Sequence, residues 1–338
     1  HILPTRTPRP AVSVIVCHHT GRLIDQCLRS VADSQGVEAE VLVITSDPTY
    51  LNDDVKVYFL DDGPAGKRNY GVSKSHADTI IFLDDDLEVS PFCLYELWKF
   101  LAETPRCGMV FAKIRNMERR YELDDCGSWI TWIGFLWARA GNAQRDTGYF
   151  NTPIRCLSSK SATCAVSRRS FTDSGGFDQS YYILGEETDL AWRVWLRGWE
   201  VWYCPTALSW HAFGCESIKP RADFYTLERV HYHGAKNYVQ LLCTNLGIAR
   251  LSWMLPIHVG SWCVALVGFA LRGEWQRTHN ILRGIGWCVT HMETIRKKRH
   301  RVQSTRTLSD RTLFQFIYAS PGWRYYLNRM SRYLSTQL

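Results

Sequence analysis

Short apolar runs and helix-period segments alternate along the first quarter of the chain, and this alternation limits the folds open to it more than any other feature. Residues 11–17 (AVSVIVC), 40–44 (EVLVI), 55–60 (VKVYFL) and 79–83 (TIIFL) have the length and β-branched content of buried strands. Between the first two, residues 21–32 place Leu23, Ile24, Cys27, Leu28 and Val31 at helical spacing, and residues 66–76 read as a second helix. Strands that alternate with helices in this way build a parallel, doubly wound α/β sheet, and such sheets place ligands beyond the strand C-termini. Further along, a helix is expected over 91–103, a short strand over 109–113, a strand over 162–167, a helix over 187–197 and a strand over 200–203. Residues 114–160 read as a long irregular insertion, and long insertions in α/β cores tend to carry function.

The run 79–83 delivers Asp84, Asp85 and Asp86 to the expected ligand edge. Asp84 and Asp86, two residues apart, can aim at one place, and paired carboxylates suit Mg2+ or Mn2+ carrying phosphates. A solvated turn explains the same triplet. Similarly, Glu186, Glu187 and Asp189 before an apolar run read as the acidic first turn of a helix, complementing its dipole, or as catalytic carboxylates.

The 338 residues exceed one ordinary core. Past Lys219 the pattern becomes helical, with helices expected over 224–243, 251–271 and 275–301. Residues 251–271 contain no formal charge, which is length enough to cross a bilayer, yet Pro256, His258, two Ser and two Gly interrupt them. Between Arg272 and Arg311 ten Lys or Arg face three acids, a net +7 that equals the whole chain's formal charge. A basic block beside an apolar, Trp-rich segment favours anionic lipid over nucleic acid, with in-plane or re-entrant docking. The expected division is a tail at 1–10, a catalytic domain at 11–219, a helical membrane-associating region at 220–311 and a tail at 312–338. Residues 1–10 are proline-rich and basic without an apolar leader, and the twelve cysteines form no Cys-x-x-Cys pair, so the expectation is a cytosolic chain with reduced thiols.

The strand 12–16, the segment Gly66-Lys67-Arg68-Asn69-Tyr70-Gly71, the acidic Asp84-Asp85-Asp86, the turn Gly175-Gly176-Phe177-Asp178, the run Gly185-Glu186-Glu187-Thr188-Asp189 and the late Trp210-His211 follow one another in an order that closely resembles the family 2 glycosyltransferases. The resemblance covers about residues 11–215 and extends loosely through the C-terminal helices, which look like those of bacterial rhamnosyltransferase-like members acting on membrane-bound acceptors. It implies a GT-A fold, a Rossmann-like doubly wound mixed sheet. It also implies an inverting displacement on a nucleotide diphospho-sugar, assisted by Mn2+ or Mg2+ and directed to a lipid-linked saccharide or polysaccharide acceptor at the cytoplasmic face of the plasma membrane.

Carried over residue by residue, the resemblance makes Asp86 the direct metal ligand, Asp84 a ribose or metal-water contact, Asp85 a bystander and His211 a completing ligand. Glu187 stands where the family usually has Asp, as the general base, beside Glu186. Lys67, Arg68 and Asn69 are donor-binding candidates, as are Asp47 and His18 for the nucleoside, although Cys17-His18-His19-Thr20 and Thr45-Ser46-Asp47 depart from the family's usual turns. Arg193 is a further candidate for the diphosphate. Trp129, Trp132 and Asp178 are the acceptor-side candidates, since aromatic faces pack against sugar C–H surfaces. The rivals are a sugar-nucleotide nucleotidyltransferase and a scaffold that binds nucleotide sugar or membrane without catalysis.

Overall fold

A computed structural model describes residues 10–19, 23–140, 144–213, 215 and 228–334. The expected N-terminal tail up to residue 9, the helix start at Phe224 and the boundary at 219–220 lie outside the described residues.

Four parallel strands form one half of the main sheet: β1 (Val12–His18), β2 (Ala39–Thr45), β3 (Lys56–Phe59) and β4 (Thr79–Asp84). Helices α1 (Ile24–Ala32) and α2 (Pro64–Lys74) connect them. The period-2 pattern of each strand sorts its side chains onto two faces. Ile15, Leu42, Ile44, Ile80 and Phe82 pack with Ala65 and Val72 of α2, whereas Val14, Val16, Val43, Ile81 and Leu83 pack with Ile24, Cys27 and Leu28 of α1. Burial on both faces is why β1, β2 and β4 read as continuous apolar runs, whereas β3 is a partly exposed edge strand.

Beyond β4 the sheet turns mixed. The short β5 (Leu87–Val89) and helix α3 (Cys93–Glu103) lead to β6 (Cys107–Asn116). Small strands β7 (Leu123–Asp125), β8 (Ser128–Ile130), β9 (Leu136–Ala138) and β10 (Ile154–Arg155) then give the insertion more structure than its sequence implies. Strand β11 (Thr163–Ser167), helices α4 (Arg168–Asp173) and α5 (Glu186–Leu196) and strand β12 (Glu200–His211) complete this part. The strand order is β10-β12-β6-β11-β4-β1-β2-β3, with β5 on β12 and β7 on β6.

Two strands are longer than expected. In β6 the polar end is paired: Lys113 and Arg115 donate to Asp146 at 2.8 and 2.7 Å, and Asn116 Oδ1 accepts the amides of Glu118 and Arg119. In β12 the ladder with β6 slips between Cys204 and Leu208, where Pro205 cannot donate, and resumes from Leu208 to His211.

The C-terminal third is helical: α6 (Gly234–Asn245), α7 (Ile248–Leu271), α8 (Trp275–Thr290) and α9 (Met292–Ser304). The single helix expected over 275–301 is therefore two, parted at His291. Residues expected as a tail carry α10 (Asp310–Ile317), capped by Ser309 Oγ on the Thr312 amide at 3.2 Å, and α11 (Trp323–Leu334). Leu241, Leu242, Met254, Leu313 and Ile317 share one apolar cluster with the sheet. Phe316 stacks on Trp195 at 5.6 Å, and its carbonyl accepts from Trp129 Nε1 at 3.0 Å.

Gly108 opens β6 where the backbone meets α4, α5 and the turn after α5. A Cβ there would stand 2.7 Å from Trp199 Cβ, 2.9 Å from Ser170 Cβ and 3.0 Å from Val194 Cγ1. Gly108→Ala is expected to lower stability by about 1–3 kcal/mol, read as a lower urea midpoint with an unchanged m-value.

Candidate active site

Strand β4 ends on Asp84, a tight turn carries Asp85 and Asp86, and β5 returns antiparallel along β12. The register pairs Val89 with Ser209, Glu88 with Trp210 and Leu87 with His211, so residues 125 positions apart meet. The Ala212 amide donates to the Asp86 carbonyl at 2.9 Å, and His211 Nε2 lies 3.1 Å from Asp86 Oδ1. One ligand atom each of Asp84, Asp86 and His211 fall within 4.8 Å of one another. Two carboxylates and an imidazole make a donor set that fits Mn2+ or Mg2+.

The other ring nitrogen, Nδ1, lies 3.0 Å from Asp124 Oδ2, and Lys160 donates to Asp124 Oδ1 at 2.5 Å. Burial alone would push His211 towards neutrality, but Asp86 and Asp124 raise its pKa to about 9. Burial would raise the Asp124 carboxyl, yet Lys160 and His211 hold it well below the usual range. A carboxylate on the far nitrogen orients the ring towards Asp86, the arrangement that supports histidine metal ligands.

Arg68 of α2 is 2% exposed and forks between two carboxylates. Its Nη2 donates to Asp84 Oδ1 at 2.9 Å and its Nη1 to Glu186 Oε1 at 3.1 Å. The guanidinium thus ties the end of β4 to the start of α5. Glu186 begins α5 and Glu187 follows it, part-exposed, with Oε1 accepting from Thr188 Oγ1 at 3.1 Å. Desolvation first, and then the charge of Glu186, raise the Glu187 carboxyl well above the usual carboxylate range.

Asp84, Asp86, His211, Lys160, Arg68, Glu186 and Glu187 line one cavity of about 1420 Å³, with Asp124 behind its wall. A ligand pocket is typically about 300–1,000 Å³, so the space exceeds what one small ligand fills. Of the residues singled out in the sequence, His18, Lys67, Arg68, Asp84, Asp86, Glu186, Glu187 and His211 line it. His18 shares a hydrogen bond with Thr45 Oγ1 at 2.8 Å, and Lys67 Nζ donates to the His18 carbonyl at 2.6 Å. Burial lowers the Lys67 pKa. Asp85, expected as a bystander, lines the cavity and accepts the His19 amide at 3.1 Å.

Other candidates sit elsewhere. Asp47 accepts from the Thr49 amide and hydroxyl at 2.8 and 2.6 Å, while its neighbour Ser46 reaches the cavity. Asn69 braces the turn before Asp178, donating to the Phe177 carbonyl and accepting the Phe177 amide, each at 2.9 Å. Asp178 pairs with Lys298 at 2.7 Å, and Arg193 pairs with Asp189 at 2.7 Å and donates to the Ser174 carbonyl. Trp129 is buried in the core, and Trp132 packs edge-on against Tyr326, a cavity residue, at 5.8 Å. The insertion meets the cavity through Ile133, Phe135 and Leu136 instead, beside Tyr238 and Trp262 of the C-terminal helices, which lie 5.1 and 5.7 Å from the Phe135 ring. Asp124 and Lys160 were not foreseen, because a stretch without periodicity gives no sign of which of its charges are buried.

Residues 13–171 match the family model for glycosyl transferase family 2. An uncharacterized protein of Mycobacterium tuberculosis (strain CDC 1551 / Oshkosh) is 26% identical over 302 residues, covering 82% of this chain and 90% of that one. N-acetylgalactosaminyltransferase 6 of Drosophila melanogaster is 23% identical over 228 residues, 60% of this chain and 34% of the fly protein. Among solved structures, GalNAc-T7 with UDP, GalNAc and Mn2+ superimposes with a TM-score of 0.55 at 16% identity, over 84% of this chain and 58% of that one. S. aureus TarS 1-349 in complex with UDP-GlcNAc gives 0.51 at 16% identity, over 87% and 83%. The alignment thus spans about a third of the fly enzyme's length and under two thirds of that of GalNAc-T7. Over residues 13–171 this chain is thus similar to glycosyl transferase family 2, and it has a GT-A fold with a helical C-terminal region.

Proposed function

We propose that the chain is an inverting glycosyltransferase that moves a hexose or deoxyhexose from a nucleotide diphospho-sugar to a hydroxyl of a lipid-linked or polysaccharide acceptor. The observation that carries this reading is the placement of Glu187 in the same cavity as the Asp84, Asp86 and His211 cluster. Asp84, Asp86 and His211 would hold a divalent cation, which when bound neutralises charge on the leaving diphosphate.

Arg68 fixes the two acids in unequal roles. Glu186 is committed to an ion pair, whereas Glu187, with its raised affinity for a proton, suits the task of general base. The acceptor oxygen attacks the anomeric carbon as the bond from that carbon to the diphosphate oxygen breaks. Glu187 takes the hydroxyl proton, and the nucleoside diphosphate departs with the bonding pair. Lys67 and Lys160 add positive charge on the diphosphate side of the cavity. The apolar wall of Phe135, Leu136, Leu241 and Trp262 supports an acceptor with an apolar portion.

Helix α7 supports work at a membrane surface. Met254, His258, Trp262, Ala265 and Phe269 face the protein, with His258 Nδ1 2.9 Å from the Ile133 carbonyl and its Nε2 accepting from Trp262 Nε1 at 3.0 Å. The polar residues that interrupt the apolar run include this inward pair. Trp253, Ile257, Val264, Val267 and Leu271 are exposed on the same helix, and only 28% of its most apolar window is buried. One face packed on the protein and another apolar and exposed support in-plane docking at the cytoplasmic face, with Arg296, Lys297 and Arg301 of α9 exposed to meet anionic lipid.

With Mn2+ and a donor panel, Glu187→Gln is expected to lower nucleoside diphosphate release by about 10²-fold or more, and Asp86→Ala to do likewise; undiminished release in either variant contradicts the assignment. Catalysis needs ionised Glu187, so kcat/KM falls as pH drops through its pKa. That limb is expected above the usual carboxylate range, and Glu186→Gln, by removing a like charge, is expected to move it to lower pH. Arg68→Met leaves Asp84 and Glu186 without their shared cation and is expected to cost about 3 kcal/mol in urea unfolding. Reversing Arg296, Lys297 and Arg301 to Glu is expected to weaken sedimentation with phosphatidylserine vesicles by about tenfold or more; unchanged partitioning contradicts the surface assignment.

A further inference from the structure

The backbone that delivers Glu186 and Glu187 to the cavity has little regular structure of its own. Between Asp178 and Gly185 it makes a single 3-10 turn, Gln179–Tyr181, capped by Asp178 Oδ1 on the Ser180 amide at 3.0 Å. Tyr182 and Leu184 then take φ of 61° and 67°, followed by Gly185 at 97°. Side chains avoid this region of backbone space, and residues persist there only where their surroundings over-determine them.

The surroundings here are the C-terminal helices. Asn237 of α6, 3% exposed, places Nδ2 at 3.1, 2.7 and 2.7 Å from the carbonyls of Tyr181, Ile183 and Leu184. Its neighbour Lys236 donates to the Ser180 carbonyl at 2.5 Å, and Gln240 donates to Ser180 Oγ at 2.8 Å. From α9, Lys298 reaches both oxygens of Asp178 at 2.8 and 2.7 Å and Ser180 Oγ at 2.5 Å. Burial lowers the Lys236 pKa to about 8. A buried lysine and a buried amide, both directed at carbonyls of one loop, form a built arrangement.

We infer that Asn237, Lys236 and Lys298 are positioning residues that fix the 178–185 loop and thereby set where Glu186 and Glu187 stand, which makes the C-terminal helices part of the catalytic apparatus. The catalytic half of this inference rests on the function proposed above. The structural half is independent of it.

Asn237→Asp keeps the side-chain volume and removes its donors. Hydrogen exchange of the ligand-free full chain is expected to show the amides of 182–187 exchanging about tenfold faster or more in this variant, with those of 79–84 on β4 unchanged. With whichever donor the wild type cleaves, kcat is expected to fall more than about tenfold while the donor KM stays within about threefold. Lys298→Met is expected to act in the same direction and Lys298→Arg to restore the wild-type rate, which gives a second route if Asn237→Asp folds poorly. Unchanged exchange, a uniform rise across the chain, or a raised KM at constant kcat overturns the inference. If the wild type releases no nucleoside diphosphate from any donor, the function proposed above fails, and the exchange pattern still decides whether these residues fix the loop.

Discussion

The buried guanidinium of Arg68 is the interaction on which the active face depends. It is the cation between Asp84, at the end of a central strand, and Glu186, at the start of a helix more than a hundred residues later. Without it two carboxylates would meet at low dielectric, and like charges there repel strongly. With it, the end of β4 and the start of α5 are held in fixed relation by one planar fork whose two ends each meet a carboxylate oxygen. The pairing also separates Glu186 from Glu187, so that two adjacent acids of the same type occupy different electrostatic settings.

A second long-range contact completes the cluster. The slip at Pro205 lets β12 resume pairing with β6, and its last residues then carry β5 alongside. His211 consequently reaches Asp86, while Asp124 and Lys160 form the relay behind it. With the ring protonated the relay is charge-balanced, carboxylate to imidazolium to carboxylate to ammonium, as buried ionic groups need to be. The C-terminal helices close the other side. Their apolar residues share the sheet's core, and their polar residues hold the loop that leads to Glu186.

The strands β1, β2 and β4 were legible because burial on both faces makes their apolar runs unbroken. The acidic triplet and the Glu186-Glu187 pair were legible because motif order survives where spacing alone is ambiguous. The extents of β6 and β12 were hidden by Arg115, Asn116 and Pro205, whose pairing or ladder position is a tertiary fact. The contact of Asp85 was hidden for a related reason, since the amide it accepts is that of His19, just past the end of β1 and far from it in sequence. Trp129 differs in another way: it serves the core, and the cavity wall falls to Ile133, Phe135 and Leu136 further along the β8–β9 hairpin. Helices α10 and α11 escaped notice because short helices carry few repeats of their period, and their stability comes from packing rather than propensity.

The central claim is that Asp84, Asp86 and His211 form a divalent-cation site facing Glu187 across one cavity. Anomalous diffraction at the manganese edge, from crystals grown with Mn2+ and UDP, tests it most directly. The account predicts a single strong peak within coordination distance of Asp86 and His211, with the diphosphate beside it. A diphosphate bound in the cavity with the peak away from these residues would contradict the account.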